Sequence, residues 1–506
     1  MSEQRLPNLA DYVREAALRR PAGPALIIGA TRLTWSDVHQ AVESVASGYR
    51  AAGLTEGDRV GLVVGNRPEF VTAYFGALRA GLVAVPLNPG FTAPEIAGLL
   101  GHAGVRLVVA DRESVAAVRQ ARLPAVLRVV VGAALDGEQR FEDLLTRGRA
   151  LGPVVTARGG EDLGVILYTS GTSGDPKGAM LTHRALRASI EQVASLDSPV
   201  VGPDDRVLVV LPLAHVYSLN GTLGAVVRQA ATAILVERFD ADSTLRLVRE
   251  HAVTNIPGAP SLWSAWASRP DLADALQGVR LLFSGSAALP ASVQERIREA
   301  TGLFVHEGYG LTEAAPGVSS TLVTGVVKPG SVGHPFPGVE VRLVDENGQD
   351  VDPEDGDPGE IWIHGENLFS GYWPDGVDGP DRAGWYATGD VAYTDDDGDL
   401  HLVDRRKELI IVNGFNVYPR EVEEVLQLHP GVAEAAVVGM AHEPSGEAVK
   451  AYVVAKPGVM LTAEELSTFC DARLARFKRP HDIELVEQLP HSLTGKVAKG
   501  RLRDRG

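Results

Sequence analysis

Residues 164–183 read GVILYTSGTSGDPKGAMLTH. An apolar run at 165–168 leads directly into Thr169, Ser170, Gly171, Thr172, Ser173, Gly174, Asp175, Pro176, Lys177 and Gly178. Glycines let backbone N–H groups turn toward an anion, the hydroxyls of Thr169, Ser170, Thr172 and Ser173 add donors, and Lys177 adds a positive charge. Such a loop cradles phosphate. It differs from the nucleotide loop GxxxxGK[ST], because Gly178 follows the lysine. A hydroxyl–glycine loop after a buried strand sits where open α/β sheets bind ligands.

The surrounding pattern agrees with an α/β fold. On the N-terminal side, helical spacing at 9–18 is followed by a short hairpin, 25–28 with 32–35. A helix is expected at 36–52 with Ser36 as its N-cap, then a strand at 59–64, a helix at 69–79 and a strand at 82–87. Further apolar runs at 107–110, 125–131, 165–168, 207–211, 232–236 and 280–283 predict parallel sheets covered by helices. From 333 to 402 the texture changes to short strands divided by Asp, Gly and Pro, which predicts a β-rich subdomain. Beyond Asp404 a compact module begins, with helices at 420–428 and 463–474 and strands at 433–439 and 449–454. The expected architecture is a large N-terminal domain, 1–404, and a small α+β C-terminal domain, 405–506.

Composition excludes several classes. The 506 residues are 45% hydrophobic and 22% charged, so the chain is not intrinsically disordered. A net charge of −17 argues against a nucleic-acid partner. The single cysteine, Cys470, excludes an intrachain disulfide and multi-Cys metal sites. The start, MSEQRLPNLADYV, lacks a basic-then-apolar region, and no apolar run approaches the length of a transmembrane segment, so a cytoplasmic enzyme is expected.

More motifs follow: LPLAHVYSLNG (211–221), SGSAAL (284–289), EGYGLTE (307–313), YATGD (386–390), DRRKELIIVNGFNVYPREVE (404–423) and TGKVAKGRLR (494–503). With YTSGTSGDPKG, this set resembles, in order, the signature motifs of the adenylate-forming superfamily and of its acyl-CoA synthetase branch. The resemblance spans roughly residues 25–505.

It implies ATP, Mg²⁺ and coenzyme A as cofactors and co-substrates, a small-molecule carboxylic acid as substrate, and a homodimer as one possible assembly. The ATP site would comprise the loop residues Thr169 to Gly174 and Lys177, with Gly285, Ser286, Ala287, Glu307, Gly308, Tyr309, Gly310, Thr312, Asp390, Arg405 and Lys496. Tyr309 would stack on adenine, Thr312 would contact phosphate, and Thr169 and Glu313 would hold the metal. Asp390 would accept both ribose hydroxyls, as an ionised carboxylate can. Lys496 would neutralise the two anions that meet during adenylation. Catalysis is thus assigned to Lys496, Thr169, Glu313 and His215. Lys407 stands at the family's interdomain hinge, and Gly414, Phe415 and Lys478 would meet coenzyme A, whereas Lys499, Arg501 and Arg503 read as solvated charges.

The acid pocket would involve His215, Tyr217, Asn220, Pro257, Ser284, Gly308, Ala314, Ala315 and Gly317. These stretches carry no charge that would pair with an amino acid's ammonium. GFNVYP is similar to the medium- and long-chain fatty acid ligases, so a fatty acid is expected, with an aryl acid as the alternative. An acyl-AMP ligase serving a carrier protein is a further alternative, though the chain looks too short for the insertion such ligases carry. Glu408 replaces the commoner aspartate, and Ile411 stands where plant coumarate ligases have lysine.

Overall fold

A computed structural model describes residues 7–503 apart from 124, 170–176, 353–356, 406, 407, 409, 413, 414, 443–445, 472, 475 and 492–496, and apart from the side chains of 404, 405, 411, 415, 416 and 446. The chain divides into two compact units. One comprises the chain up to Glu340, apart from 172–174, together with His364–Tyr386, and the other is built on Val341–Ile363 with Ala387–Gly506.

The first unit is built on two sheets. In the seven-stranded sheet the order is Gln139–Arg140, Leu127–Val130, Val105–Ala110, Arg59–Val63, Val83–Pro86, Leu163–Thr169, Lys177–Thr182. All neighbours are parallel except the last pair. The nine-stranded sheet carries a parallel centre, Val305–Gly310, Leu281–Ser284, Asn255–Gly258, Arg206–Val209, Thr232–Leu235 and Pro24–Ile28. Antiparallel strands close both its ends. Strands such as Val83–Pro86 and Thr232–Leu235 are buried at every position, which is why they read as unbroken apolar runs. Trp35, Trp263 and Trp266 are among the largest fully buried side chains, and each contributes several kcal/mol on the scale of about 25 cal/mol per Å².

In the second unit, Ile410–Val412, Phe415–Val417, Val432–His442 and Gly446–Ala455 form an antiparallel sheet, joined in parallel by Asp482–Leu485. Pro419–Gln427 and Ala463–Asp471 are its helices. Strands Gly359–Gly365, Trp385–Thr394 and Leu400–Arg405 belong to the expected β-rich segment.

Two expectations are corrected. The helix after the hairpin begins at Trp35 with Thr34, not Ser36, as its N-cap. Thr34 Oγ1 accepts the Asp37 N–H at 3.2 Å, and Asp37 Oδ2 accepts the Thr34 N–H at 2.9 Å. The capping box wins because an acid stands three residues beyond Thr34. The helix expected to reach 474 stops at Asp471.

One buried group makes the first unit pH-sensitive. His183 opens the helix that follows the hairpin strand Lys177–Thr182, and its Nδ1 accepts the Leu9 N–H at 3.2 Å. Burial pushes its pKa down to about 4; Asp162 and Asp11 oppose the shift, and Arg187 and Arg158 add to it. The folded state therefore holds His183 neutral. That contribution is complete above the unfolded value near pH 6.5 and is lost as pH falls toward 4, about 3 kcal/mol in all. Melting temperature should drop between pH 6.5 and 5 more steeply in wild type than in His183→Asn. Parallel pH profiles for the two would refute this.

Candidate active site

The segment expected to cradle phosphate is flanked by the two strands of a hairpin. Leu163–Thr169 and Lys177–Thr182 pair antiparallel with Thr169 opposite Lys177, so the two ends of the intervening segment face each other. Ser170, Gly171, Thr172, Ser173 and Gly174 lie outside the described residues. Gly178 is required here: a Cβ would stand 2.8 Å from Ile166 Cγ2 and 3.3 Å from the Tyr168 ring. Thr169 Oγ1 reaches the Lys177 carbonyl at 3.5 Å. Lys177 Nζ meets Asp378 Oδ2 at 2.7 Å and stands 4.9 Å from the centre of the Tyr372 ring.

EGYGLTE ends the strand Val305–Gly310 and enters a single 3₁₀ turn, Thr312–Ala314. Gly310 carries the bend, since a Cβ would fall 2.2 Å from the Pro316 carbonyl oxygen. The turn presents Glu313, which is buried and accepts the Tyr372 hydroxyl at Oε1, 2.5 Å away. Tyr309 is buried as well. The Glu307 carboxylate accepts the Leu289 N–H at 2.9 Å, which ties this strand to SGSAAL, and its carbonyl accepts the Thr321 N–H at 3.0 Å. In SGSAAL, Gly285 is closely approached by the Tyr217 ring, Ser286 adopts a left-handed φ of 73°, and Ala287 is exposed.

The residues expected to line the acid pocket lie around a π-helical turn, Tyr217–Gly224, a form frequent at functional sites. Asn220 Nδ2 donates to the Leu186 carbonyl at 2.9 Å and to the Ala315 carbonyl at 2.6 Å. His215 Nδ1 accepts the Tyr217 N–H at 3.3 Å. Tyr217 meets Phe283 edge-on at 5.9 Å, and Gly308 backs onto the same phenylalanine. Pro257 is a register partner of Phe283, and Gly258 of Ser284. The Tyr217 hydroxyl, Ser284 Oγ, Trp263 Nε1 and Asn220 Oδ1 are buried with no hydrogen-bond partner among the described residues, an arrangement that calls for a polar ligand or water.

In the second unit, Asp390 lies opposite Arg405 across paired strands, and the Asp390 N–H donates to Thr388 Oγ1 at 3.1 Å. Lys407, Gly414 and Lys496 lie outside the described residues, as do the side chains of Arg405 and Phe415. Lys478 is held by Glu421, with both carboxylate oxygens at 2.7 Å. Lys499 corrects the solvated-charge expectation. It is 14% exposed, with Glu408 at 3.1 Å and Glu423 at 2.8 Å, because the tail folds back onto its own unit.

Sequence reading missed Asn367, Tyr372 and Asp378. Asn367 Nδ2 donates to the Ala314 and Gly317 carbonyls at 2.8 and 2.9 Å, fixing the turn between them. The glycine–aromatic run Gly371-Tyr372-Trp373 was the available signal.

Among the described residues no group of three or more His, Cys, Asp or Glu side chains could hold a metal. Glu313 is a buried carboxylate, a ligand type that suits Mg²⁺. That ion keeps waters and binds one or two carboxylates together with substrate phosphates. No helix of the described residues is long and apolar enough to cross a membrane.

The AMP-binding enzyme family matches residues 13–373, and its C-terminal domain family matches 421–496. A long-chain-fatty-acid–CoA ligase of Bacillus subtilis is 32% identical over 98% of this chain and 94% of its own length. A feruloyl-CoA synthase of Amycolatopsis is 37% identical over 98% of this chain and 99% of its own. The crystal structure of ATP-bound MatB from Rhodopseudomonas palustris superposes with a TM-score of 0.89 at 31% identity, covering 99% of each chain. Fold, motif order and full-length similarity agree: the chain belongs to the AMP-binding enzyme family, among its adenylate-forming acyl-CoA ligases.

Proposed function

We propose that the chain joins a fatty acid to coenzyme A at the expense of ATP, releasing AMP and pyrophosphate. A carboxylate oxygen attacks the α-phosphorus of ATP, and the bond to pyrophosphate breaks. The coenzyme A thiol, having given up its proton, then attacks the acyl carbon, and AMP leaves. One observation carries the reading. Lys177 at the base of the phosphate loop and Glu313 of EGYGLTE, far apart in sequence, meet the same side chain, Tyr372.

In this reading Thr169 to Gly174 and Lys177 hold the phosphates, with Thr312 beside them. Tyr309, Gly285, Ser286, Ala287, Glu307, Gly308 and Gly310 frame the adenine, and Asp390 and Arg405 hold the ribose. Thr169 and Glu313 hold Mg²⁺, which when bound neutralises charge on the triphosphate. Lys496 stabilises the charge that develops as carboxylate meets phosphate. His215, Tyr217, Asn220, Pro257, Ser284, Ala314, Ala315 and Gly317 surround the acid. Residues 405–506 turn about Lys407 between the two steps and bring Gly414 and Phe415 to coenzyme A. Lys478, already bound by Glu421, would have to exchange that partner for the nucleotide. The reaction is placed in the cytoplasm.

A second reading, an aryl acid, is favoured by the unpartnered Tyr217 hydroxyl and Ser284 Oγ. A hydroxyl or ether on a ring would satisfy these groups, and an alkyl chain would not. Pyrophosphate release across straight-chain and aryl acids, with and without coenzyme A, decides between them. Release that ignores free coenzyme A and needs a carrier protein would identify an acyl-AMP ligase instead.

A further inference from the structure

Tyr372 is 9% exposed and belongs to neither of the motifs whose residues it touches. Its hydroxyl donates to Glu313 Oε1 at 2.5 Å, and the Lys177 ammonium lies 4.9 Å from its ring centre. The ring has little freedom. Phe369 meets it edge-on at 5.1 Å, and the Tyr386 hydroxyl is 3.4 Å from its own. The backbone is anchored as well. The Tyr372 N–H donates to the Val377 carbonyl at 2.9 Å, and the Trp373 N–H to the Gly178 carbonyl at 2.8 Å, one residue past Lys177. The Trp373 indole N–H reaches the His102 carbonyl at 3.0 Å.

A tyrosine that served packing alone would need its ring and not its hydroxyl. Here the hydroxyl fixes a buried carboxylate, and the ring, with its negative π face, attracts a cation. Lys177 is also paired with Asp378, on the same loop as Tyr372. Both side chains of that pair are substantially exposed, and such pairs are weak. A triphosphate would therefore draw Lys177 from Asp378 without breaking a buried contact.

We propose that Tyr372 is a positioning residue for the adenylation half-reaction. Its hydroxyl orients the Glu313 carboxylate and its ring seats the Lys177 ammonium, so one side chain sets both groups toward the triphosphate of ATP. The proposal rests on the roles given to Glu313 and Lys177 above.

The test is calorimetric binding of ATP with Mg²⁺, and of AMP, to wild type, Tyr372→Phe, Tyr372→Leu and Glu313→Gln, with melting temperatures. Tyr372→Phe keeps the ring and loses one charge-assisted hydrogen bond, which should weaken Mg·ATP binding about tenfold. AMP affinity and thioester formation from preformed acyl-AMP should stay at wild-type values, since neither needs the β- and γ-phosphates. Tyr372→Leu, which also removes the ring face, should weaken Mg·ATP further. Wild-type Mg·ATP affinity in Tyr372→Phe, with Glu313→Gln impaired, overturns the positioning role and leaves the site reading standing. Equal weakening of ATP and AMP with a lowered melting temperature reduces Tyr372 to a packing residue. Unchanged Mg·ATP affinity in Glu313→Gln removes the metal reading of Glu313, and the proposal falls with it.

Discussion

Lys496→Ala is expected to slow acyl-adenylate formation by about 10²–10³-fold, the usual loss when one preorganised electrostatic contact is removed. Thioester formation from preformed acyl-AMP and coenzyme A should keep close to its wild-type rate. The asymmetry follows from the chemistry of the two steps. Adenylation brings a carboxylate against a phosphate, two anions that repel, and an ammonium between them lowers that barrier most where charge is concentrated. In the second step the attacking group meets an acyl carbon already activated by AMP, and in the two-conformation reading the tail has turned away by then. The substitution should leave the fold intact. The segment 492–496 is flanked by a bridge between His491 and Val497, and the Ala498 N–H donates to the Pro490 carbonyl at 2.7 Å. Just beyond, Lys499 is tied to Glu408 and Glu423. Single-turnover pyrophosphate release and thioester formation measure the steps separately. An equal collapse of both would remove the domain swing from the mechanism.

What could be read from the sequence depended on the range of the interaction that sets each feature. The parallel sheets were legible because strands buried on both faces are apolar at every position, as Val83–Pro86 shows. The strand that leads into residues 170–176 was legible for the same reason, an apolar run at 165–168 inside Leu163–Thr169. The N-cap at Thr34 was misplaced by two residues, since its choice rests on a reciprocal bond with Asp37 that competes with Ser36 as a cap. Lys499 was read as solvated because nothing near it in sequence reveals that Glu408 and Glu423 converge on it. Tyr372, Asp378 and Asn367 were missed for the same reason. Their partners, Glu313, Lys177 and the 314–317 turn, lie some 50 to 200 residues away in sequence, and the run Gly371-Tyr372-Trp373, though it stands out, does not reveal those partners.

The acid itself should show the second large effect. Ala314 and Ala315 are fully buried directly after Thr312 and Glu313, and the turn they begin is held by Asn220 at the Ala315 carbonyl and by Asn367 at the Ala314 carbonyl. If an alkyl chain enters alongside this turn, each methylene it buries contributes about 0.8 kcal/mol, close to a fourfold gain in kcat/KM per carbon. Over the first five or six carbons that amounts to a gain on the order of 10³, followed by a plateau when the space is filled. Gly317 provides the internal control. A Cβ there would lie 3.2 Å from two carbons of the Phe336 ring and 3.8 Å from Ser189 Oγ. A leucine at 317 must therefore displace Phe336 or project into whatever space the acid uses. In the second case Gly317→Leu lowers the chain length at which the plateau begins while short acids keep wild-type rates. In the first case every acid suffers alike, and the glycine serves only the backbone and its contact with Phe336. The polar atoms left unpaired at Tyr217 and Ser284 pull toward the opposite outcome. A flat profile from acetate to palmitate with high kcat/KM for a hydroxylated aryl acid would fit those atoms. It would remove the fatty acid from the reading while leaving the acyl-CoA ligase in place.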